Sequence, residues 1–215
     1  MKQPIKILNL YACLGGNRYK WNDVAEIEVT AVENDFELAR LYQLRFPNDK
    51  VVVTDAHQYL LEHYQSFDFI WSSPPCPSHS RARFARNETT QKIYPDLKLY
   101  EEIIFLDYYF EGKFCVENVI PFYQPLIEGH KRGRHIYWTN FRLPINLNER
   151  GAGIMESENE VNKWCLFHDY DFKQYKGNQR IDKIARNLVD YEVGKTILQT
   201  ALDKISPKHN IQTLF

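Results

Sequence analysis

Short apolar runs alternate with amphipathic segments along most of the chain, and the two patterns predict different elements. Apolar runs predict strands at residues 6–11, 27–32, 50–55, 67–73, 114–119 and 135–141. Apolar residues at helical spacing predict helices at residues 36–46, 59–64, 95–110 and 182–205. Residues 146–177 show neither pattern and are predicted to be loop with short local structure. The alternation of strands and helices favours an α/β fold with a mainly parallel sheet and helices on both faces.

The composition is that of an ordinary soluble protein, and the length predicts one domain over residues 1–215. The chain is 44% hydrophobic and 26% charged, with a net charge of -1. Contact with nucleic acid must therefore come from local basic patches rather than from a field of the whole protein. The cysteines are widely separated, which argues against a zinc site or a disulfide framework and favours a reducing cytoplasm. The apolar N-terminal stretch is too short and too polar for a signal peptide or a membrane span.

A cysteine stands directly after one of the predicted strands. Pro74-Pro75 ends the strand at residues 67–73, because proline cannot donate to a sheet ladder, and Cys76 then lies in a loop at the carboxyl edge of the sheet. Ligands bind at that edge in open α/β sheets. Cys76 is therefore a candidate nucleophile, although a lone cysteine is commonly a buried and inert residue. Glu117 ends the strand at residues 114–119, so a thiol and a carboxyl could flank one substrate.

Three other strand ends carry groups that suit a nucleoside. Gly15-Gly16 follows the first strand as a tight turn, where the backbone can approach a ligand closely. Glu33 follows the second strand and suits ribose hydroxyls, whereas Asp55 follows the third and suits an adenine amino group. These features favour a ligand that contains adenosine. The alternative is that Glu33 and Asp55 only cap the helices that follow them, as acidic residues often do.

The order of these motifs resembles the DNA cytosine-5 methyltransferase family over most of the chain. The matching segments are Leu10-Tyr11-Ala12-Cys13-Leu14-Gly15-Gly16, Glu33-Asn34-Asp35, Asp55-Ala56, Pro75-Cys76, Glu117-Asn118-Val119, Arg132-Gly133-Arg134, Arg186-Asn187-Leu188-Val189 and Val193-Gly194. The resemblance implies a Rossmann-like methyltransferase fold with S-adenosylmethionine as cofactor. It assigns to that cofactor the residues Tyr11, Leu14, Gly15, Gly16, Glu33, Asn34, Asp55, Ala56, Pro75 and Asn187.

The same resemblance implies methyl transfer to C5 of cytosine in DNA. Cytosine C5 is a weak nucleophile, so Cys76 would first add covalently to C6 of the ring. Glu117 would bind the ring N3 and the exocyclic amine, and Arg134 would contact the ring O2. A target base within a duplex would have to be flipped out of the stack. Further substrate contacts are expected from Ser80, Arg81, Arg83, Asn118, Val119 and Arg132.

The departures from the family pattern remove none of the reacting groups. Cys13 stands where the family has glycine, and Pro77 and His130 stand where it has glutamine. Residues 143–177 form a short insert in place of the family's target-recognition domain, and residues 182–205 are expected to pack back on the cofactor region. DNA is the expected partner, with a separate recognition subunit and a role in restriction-modification left open; neither a membrane nor a metal is expected. A free cytosine nucleotide or RNA is the alternative substrate, and a non-catalytic cofactor- or DNA-binding module is the alternative function.

Overall fold

One seven-stranded sheet organises the protein, whose structure is a computed structural model that describes residues 3–80, 94–150 and 160–204. The strand order is β3-β2-β1-β4-β5-β7-β6, and β7 is antiparallel to both of its neighbours. The other observed pairings are parallel, so the mainly parallel sheet predicted from the sequence is confirmed. The strands are β1 (Ile5–Leu10), β2 (Ile27–Val32), β3 (Lys50–Val52), β4 (Phe69–Ser72), β5 (Lys113–Val119), β6 (His130–Arg132) and β7 (His135–Thr139).

Six α-helices occur in the described part of the chain, and two predictions about helices are wrong. Residues 160–168 form a helix where loop was predicted, and the single helix predicted over 182–205 is two helices separated by residues 188–190. Asp190 starts the second of these, because its side chain accepts from the Glu192 amide. The helices are α1 (Phe36–Arg45), α2 (Ala56–His63), α3 (Lys98–Tyr109), α4 (Glu160–His168), α5 (Ile181–Asn187) and α6 (Tyr191–Ala201).

Alternation along the strands gives the sheet two apolar faces, and each is covered by helices. On one face, the strand residues Leu8, Ile70 and Val116 pack with residues of α2 and α3. On the other, Ile7 and Trp71 pack with residues of α6, and the adjacent Ala31 packs with Tyr42 and Phe46 at α1. The prediction of helices on both faces is therefore confirmed.

A third apolar cluster joins α4 and α5 to the turn that follows β1. Leu14 and Leu38 are buried there against Trp164 of α4 and Leu188 at the end of α5. This packing places α5 above the carboxyl edge of the sheet, where the ends of β1, β2, β4 and β5 meet. The fold thus gathers strand ends and one helix around a single cavity.

The helix α6 is fixed to the first turn by an unusually close approach. A Cβ on Gly194 would lie 2.1 Å from the backbone oxygen of Asn17, so only glycine fits there without a shift. The indole of Trp21 donates to the Gly194 carbonyl at 3.1 Å, and Lys20 forms an ion pair with Glu192. The first turn and the last described helix therefore form one unit.

Candidate functional site

A cavity of about 370 Å³ opens at the carboxyl edge of the sheet. It is lined by the loops that follow β1, β2, β3 and β4, by the end of β5 and by residues of α5. The sequence-predicted site residues that line it are Tyr11, Gly16, Glu33, Asn34, Asp55, Pro75, Cys76, Glu117, Asn118, Val119 and Asn187. The structure therefore brings most of the predicted cofactor residues and the thiol–carboxyl pair to one place.

Three residues predicted to bind the cofactor support the cavity wall from behind. Leu14 is fully buried in the cluster beneath α5. Gly15 has φ +66°, the left-handed conformation that glycine adopts without a steric penalty, and its amide donates to Ala12. Ala56 is the buried first residue of α2. Their placement fits a structural role behind the wall.

Of the residues predicted to bind the substrate, Asn118 and Val119 line the cavity, and Ser80 and Arg132 lie outside its lining. Asn118 donates to the Pro74 carbonyl at 3.0 Å and so ties the thiol loop to β5. Ser80 pairs with Pro121 through an isolated β-bridge outside the cavity lining. Arg132 donates to the Pro144 carbonyl at 2.8 Å and anchors the start of the 143–177 segment instead of lining the cavity. Arg81 and Arg83 lie outside the described residues.

The turn after β1 is held in a conformation that costs energy. Tyr11 and Cys13 have φ values of 55° and 47°, in the left-handed region that non-glycine residues rarely adopt. Such residues cost on the order of 1 kcal/mol or more each and persist only where their surroundings fix them. The Cys13 amide donates to Glu33 at 2.8 Å, and the Tyr11 hydroxyl donates to Glu102 at 2.5 Å. The strained turn is thus tied to two buried carboxylates.

Glu33 is positioned as a bridge between two loops and not as a helix cap. Its second carboxylate oxygen accepts from the Asp35 amide at 2.9 Å, and burial raises the pKa of Glu33. The cap of α1 is Asp35, whose side chain accepts from the amides of Glu37 and Leu38. Asp55, in contrast, does cap α2 by accepting from the Gln58 amide, while it also lines the cavity. Asp55 therefore caps a helix and also lines the cavity, whereas Glu33 caps no helix.

A buried acid that the sequence analysis missed connects several parts of the wall. Glu102 is fully buried on α3 and accepts from Tyr11 and from the Ser72 hydroxyl at 2.6 Å. His57 lies 3.1 Å from the same carboxylate, and this hydrogen bond raises the pKa of His57. We call these four residues the Glu102 network. The sequence did contain a signal for this acid. Glu102 falls beside Leu99 on the apolar face of the predicted helix, where burial of an unpaired carboxylate would cost free energy, so a buried partner was to be expected.

Cys76 lies half-buried in the loop that follows β4. The Cys76 carbonyl accepts from the amides of His79 and Ser80, both at 3.0 Å, which fixes the loop as a tight turn. Burial raises the pKa of the Cys76 thiol, the charge of Glu117 raises it further, and Lys183 opposes both. Lys183 is the second missed residue; it projects from α5 into the cavity, and no motif marks it.

Glu117 is nearly buried on β5, and the basic side chain beside it is His135 of β7 instead of the predicted Arg134. Nε2 of His135 lies 3.6 Å from Oε1 of Glu117, and His135 lines the cavity. Arg134 is exposed and does not line it, and its backbone carbonyl accepts from the Ile120 amide. Arg134 therefore does not reach the place that the resemblance implies.

The described residues contain neither a helix suited to a membrane nor a cluster suited to a metal ion. None of the described helices has the length and apolar character that a membrane crossing requires. No group of three or more His, Cys, Asp or Glu side chains in the described ranges is arranged to hold a metal ion.

Comparisons with known proteins agree with this architecture. No curated protein matches the chain. The Entamoeba histolytica methyltransferase EhMeth is 10% identical, with a TM-score of 0.50 over 94% of this chain and 99% of that one. A DNMT2 variant from Spodoptera frugiperda is 24% identical, with a TM-score of 0.38, and the match covers 54% of this chain but only 35% of the insect protein. The strand order and the likeness to the Entamoeba protein show a Rossmann-like methyltransferase fold.

A match to a family model over residues 5–120 shows the family of this protein. A family model described as C-5 cytosine-specific DNA methylase matches residues 5–120, slightly more than half of the chain. The match includes β1 to β5, and with them the strained turn, Glu33, Cys76 and Glu117. This protein belongs to the C-5 cytosine-specific DNA methylase family.

Proposed function

We propose that this protein transfers a methyl group from S-adenosylmethionine to C5 of cytosine in DNA, through a covalent bond between Cys76 and C6 of the base. One observation carries the proposal: Cys76 and Glu117 line the same cavity as the strained turn after β1 and Glu33. A nucleophile, a carboxyl for the base and a nucleoside-binding edge therefore share one space. The whole chain would then act as one catalytic domain.

The residues present fit the cofactor. The Gly16 position has no room for a side chain, because a Cβ there would lie 2.4 Å from the Val189 carbonyl, so the backbone itself forms the wall. The carboxylate of Glu33 suits two ribose hydroxyls, Asp55 suits an adenine amino group, and Tyr11 forms the adjoining wall. Asn187, at the end of α5, closes the cavity on the far side. When bound, S-adenosylmethionine supplies an electrophilic methyl group.

The protein's own groups would make cytosine reactive. Cys76, as thiolate, attacks C6, and the ring electrons move to C5 and toward N3. Glu117, in its protonated form, donates to N3 and so stabilises the charge that develops on the ring. After methyl transfer, the C5 proton leaves, the C5–C6 double bond forms again and the Cys76–C6 bond breaks. The positive charge of Lys183 favours the thiolate during the first step.

The position of the thiol requires a base that is out of the stack. Cys76 is half-buried in a cavity beside Glu117, so the edge of a paired base cannot reach it and a duplex target must be flipped. The family match supports DNA as the substrate class. Residues 143–177 would serve as a reduced target-recognition region, and their helix α4 is already committed to the core through the buried Trp164. We therefore expect broad or short-site specificity.

The test is methyl transfer from labelled S-adenosylmethionine to mixed-sequence duplex DNA, followed by nucleoside analysis. Wild type is compared with Cys76→Ser and with the matched control Cys165→Ser, which changes a thiol on α4 outside the cavity lining. We expect 5-methylcytosine from wild type and from Cys165→Ser but not from Cys76→Ser. Label only in RNA or free cytosine nucleotides would overturn the DNA assignment. Cofactor binding without any transfer would indicate a binding module.

A further inference from the structure

On the basis of the proposed function, we infer that His135, and not Arg134, is the basic residue that faces the target base beside Glu117. The resemblance implies an arginine, Arg134, at this point, whereas the structure places His135 there. Strand register, distance and exposure all distinguish the two residues.

Strand register separates the two residues. On β5 and β7, Glu117 pairs with Tyr137, and Val119 pairs with His135. Successive side chains of a strand point to opposite faces, so His135 shares the face of Tyr137 and hence of Glu117. His135 is then a diagonal neighbour of Glu117, a spacing that long side chains bridge. Arg134 is one residue out of phase and sits in the turn between β6 and β7.

Distance and exposure lead to the same assignment. His135 is the one basic side chain in the described ranges within 4.0 Å of the Glu117 carboxylate, at 3.6 Å. Its side chain is 24% exposed and that of Glu117 is 9% exposed, so the pair lies at the cavity wall and not on the open surface. Arg132, the direct cross-strand partner of His135, is already bound to the carbonyls of Pro144 and Lys131.

The chemistry of this arrangement follows from the contact with Glu117. Nε2 of His135 lies 3.6 Å from Oε1 of Glu117, and a small shift lets it donate to that oxygen and hold the carboxyl so that its other oxygen faces N3 of the base. His135 is thus a positioning residue. Negative charge moves toward N3 after Cys76 has added to C6, so the position of the carboxyl matters more in the transition state than in the ground state, and the loss should appear in kcat rather than in KM.

The experiment compares His135→Ala with Arg134→Ala on a cytosine-containing oligonucleotide, because alanine has no donor whereas glutamine or asparagine would keep an N–H. We expect kcat of His135→Ala to fall on the order of 10²-fold, as when one preorganised donor is removed, with KM changed by less than about threefold. We expect kcat of Arg134→Ala to fall by less than about fivefold. Cofactor affinity and thermal midpoint are measured for both variants, and His135→Phe replaces His135→Ala if the latter does not fold. A normal kcat for the His135 variants, or a larger loss in Arg134→Ala, would overturn the inference.

A second measurement isolates the pair. In the Glu117→Gln background, His135→Ala should produce little additional loss, because the two side chains act on the same base as a unit. Full additivity of the two losses would contradict the inference. Failure of the proposed function is recognised separately, since wild type itself would then transfer no methyl group to any cytosine substrate.

Discussion

We expect the free energy of unfolding to fall at acidic pH because of one buried histidine, His168. His168 is fully buried at the end of α4, stacked on Trp164 and packed against Phe172. Neither ring nitrogen has a hydrogen bond of good geometry in the described part of the chain, and a weaker contact with the Ala185 backbone offsets the burial only in part. Burial, together with the charges of Arg45 and Arg150, lowers the pKa of His168 from 6.5 to about 3.

The direction and size of the effect follow from proton linkage. Below pH 6.5 the unfolded chain binds a proton at His168 and the folded protein does not, so stability is complete above pH 6.5 and is lost as the pH falls toward 3. At about 1.4 kcal/mol for each pH unit, the loss between pH 7.5 and pH 5 is about 2 kcal/mol. The packing that weakens first is that of α4 against α5, which carries Lys183 and Asn187 to the cavity.

The assay is urea denaturation at several pH values between 5 and 7.5, for wild type and for His168→Phe. The phenylalanine keeps an aromatic ring among aromatic neighbours and removes the titrating group. The difference in free energy of unfolding between the two proteins should change by about 2 kcal/mol over this range, and other titrating groups cancel in it. If the two proteins lost stability in parallel, the buried neutral histidine would not be the cause.

Three further predictions concern the cavity and its support. Glu33→Ala should weaken S-adenosylmethionine binding by about 1–3 kcal/mol, and calorimetry showing unchanged affinity would leave Glu33 only its role as a loop bridge. The rate of Cys76 alkylation by iodoacetamide should rise with pH as the thiol, whose pKa is raised, loses its proton. Glu117→Gln removes a negative charge beside the thiol and should shift this pH–rate profile to lower pH. A profile that did not move would contradict the effect of Glu117 on the Cys76 pKa. Arg18→Ala should cost about 3–5 kcal/mol in chemical denaturation, because it leaves the charge of Asp49 without its Arg18 counterion at 4% exposure while the Tyr42 hydroxyl still donates to it. A cost below about 1 kcal/mol would argue against a buried ion pair.

The strand ends could be predicted from the sequence because the relevant signals are local. A run of apolar residues followed by Pro74-Pro75 fixes the end of β4, so the placement of Cys76 at the edge of the sheet needs no tertiary information. The same holds for Glu33 after β2 and for Glu117 on β5. Parallel strands then bring these ends together as a consequence of the fold class.

The remainder depends on contacts between distant segments. Only strand pairing shows that His135 and Glu117 share a face, since the preceding turn could have shifted the register by one residue. The Glu102 network joins residues 30 to 91 positions apart. The helix α4 was missed because the burial of Trp164 and His168 depends on partners in α5 and in the 3-10 turn at residues 172–174, and not on a wide apolar stripe.

The close contact between Gly194 and the first turn also determines when the site can form during synthesis. Trp21 and Gly194 are 173 residues apart, so at about 5–20 residues per second a ribosome needs roughly 9–35 s to make the second after the first. Through that interval the turn lacks its covering helix, and the indole of Trp21, which is fully buried in the finished protein, has no partner from α6. Nascent chains should therefore acquire the cofactor-binding edge late, and translation pauses before residue 194 would prolong the exposure of this apolar surface to chaperones and proteases.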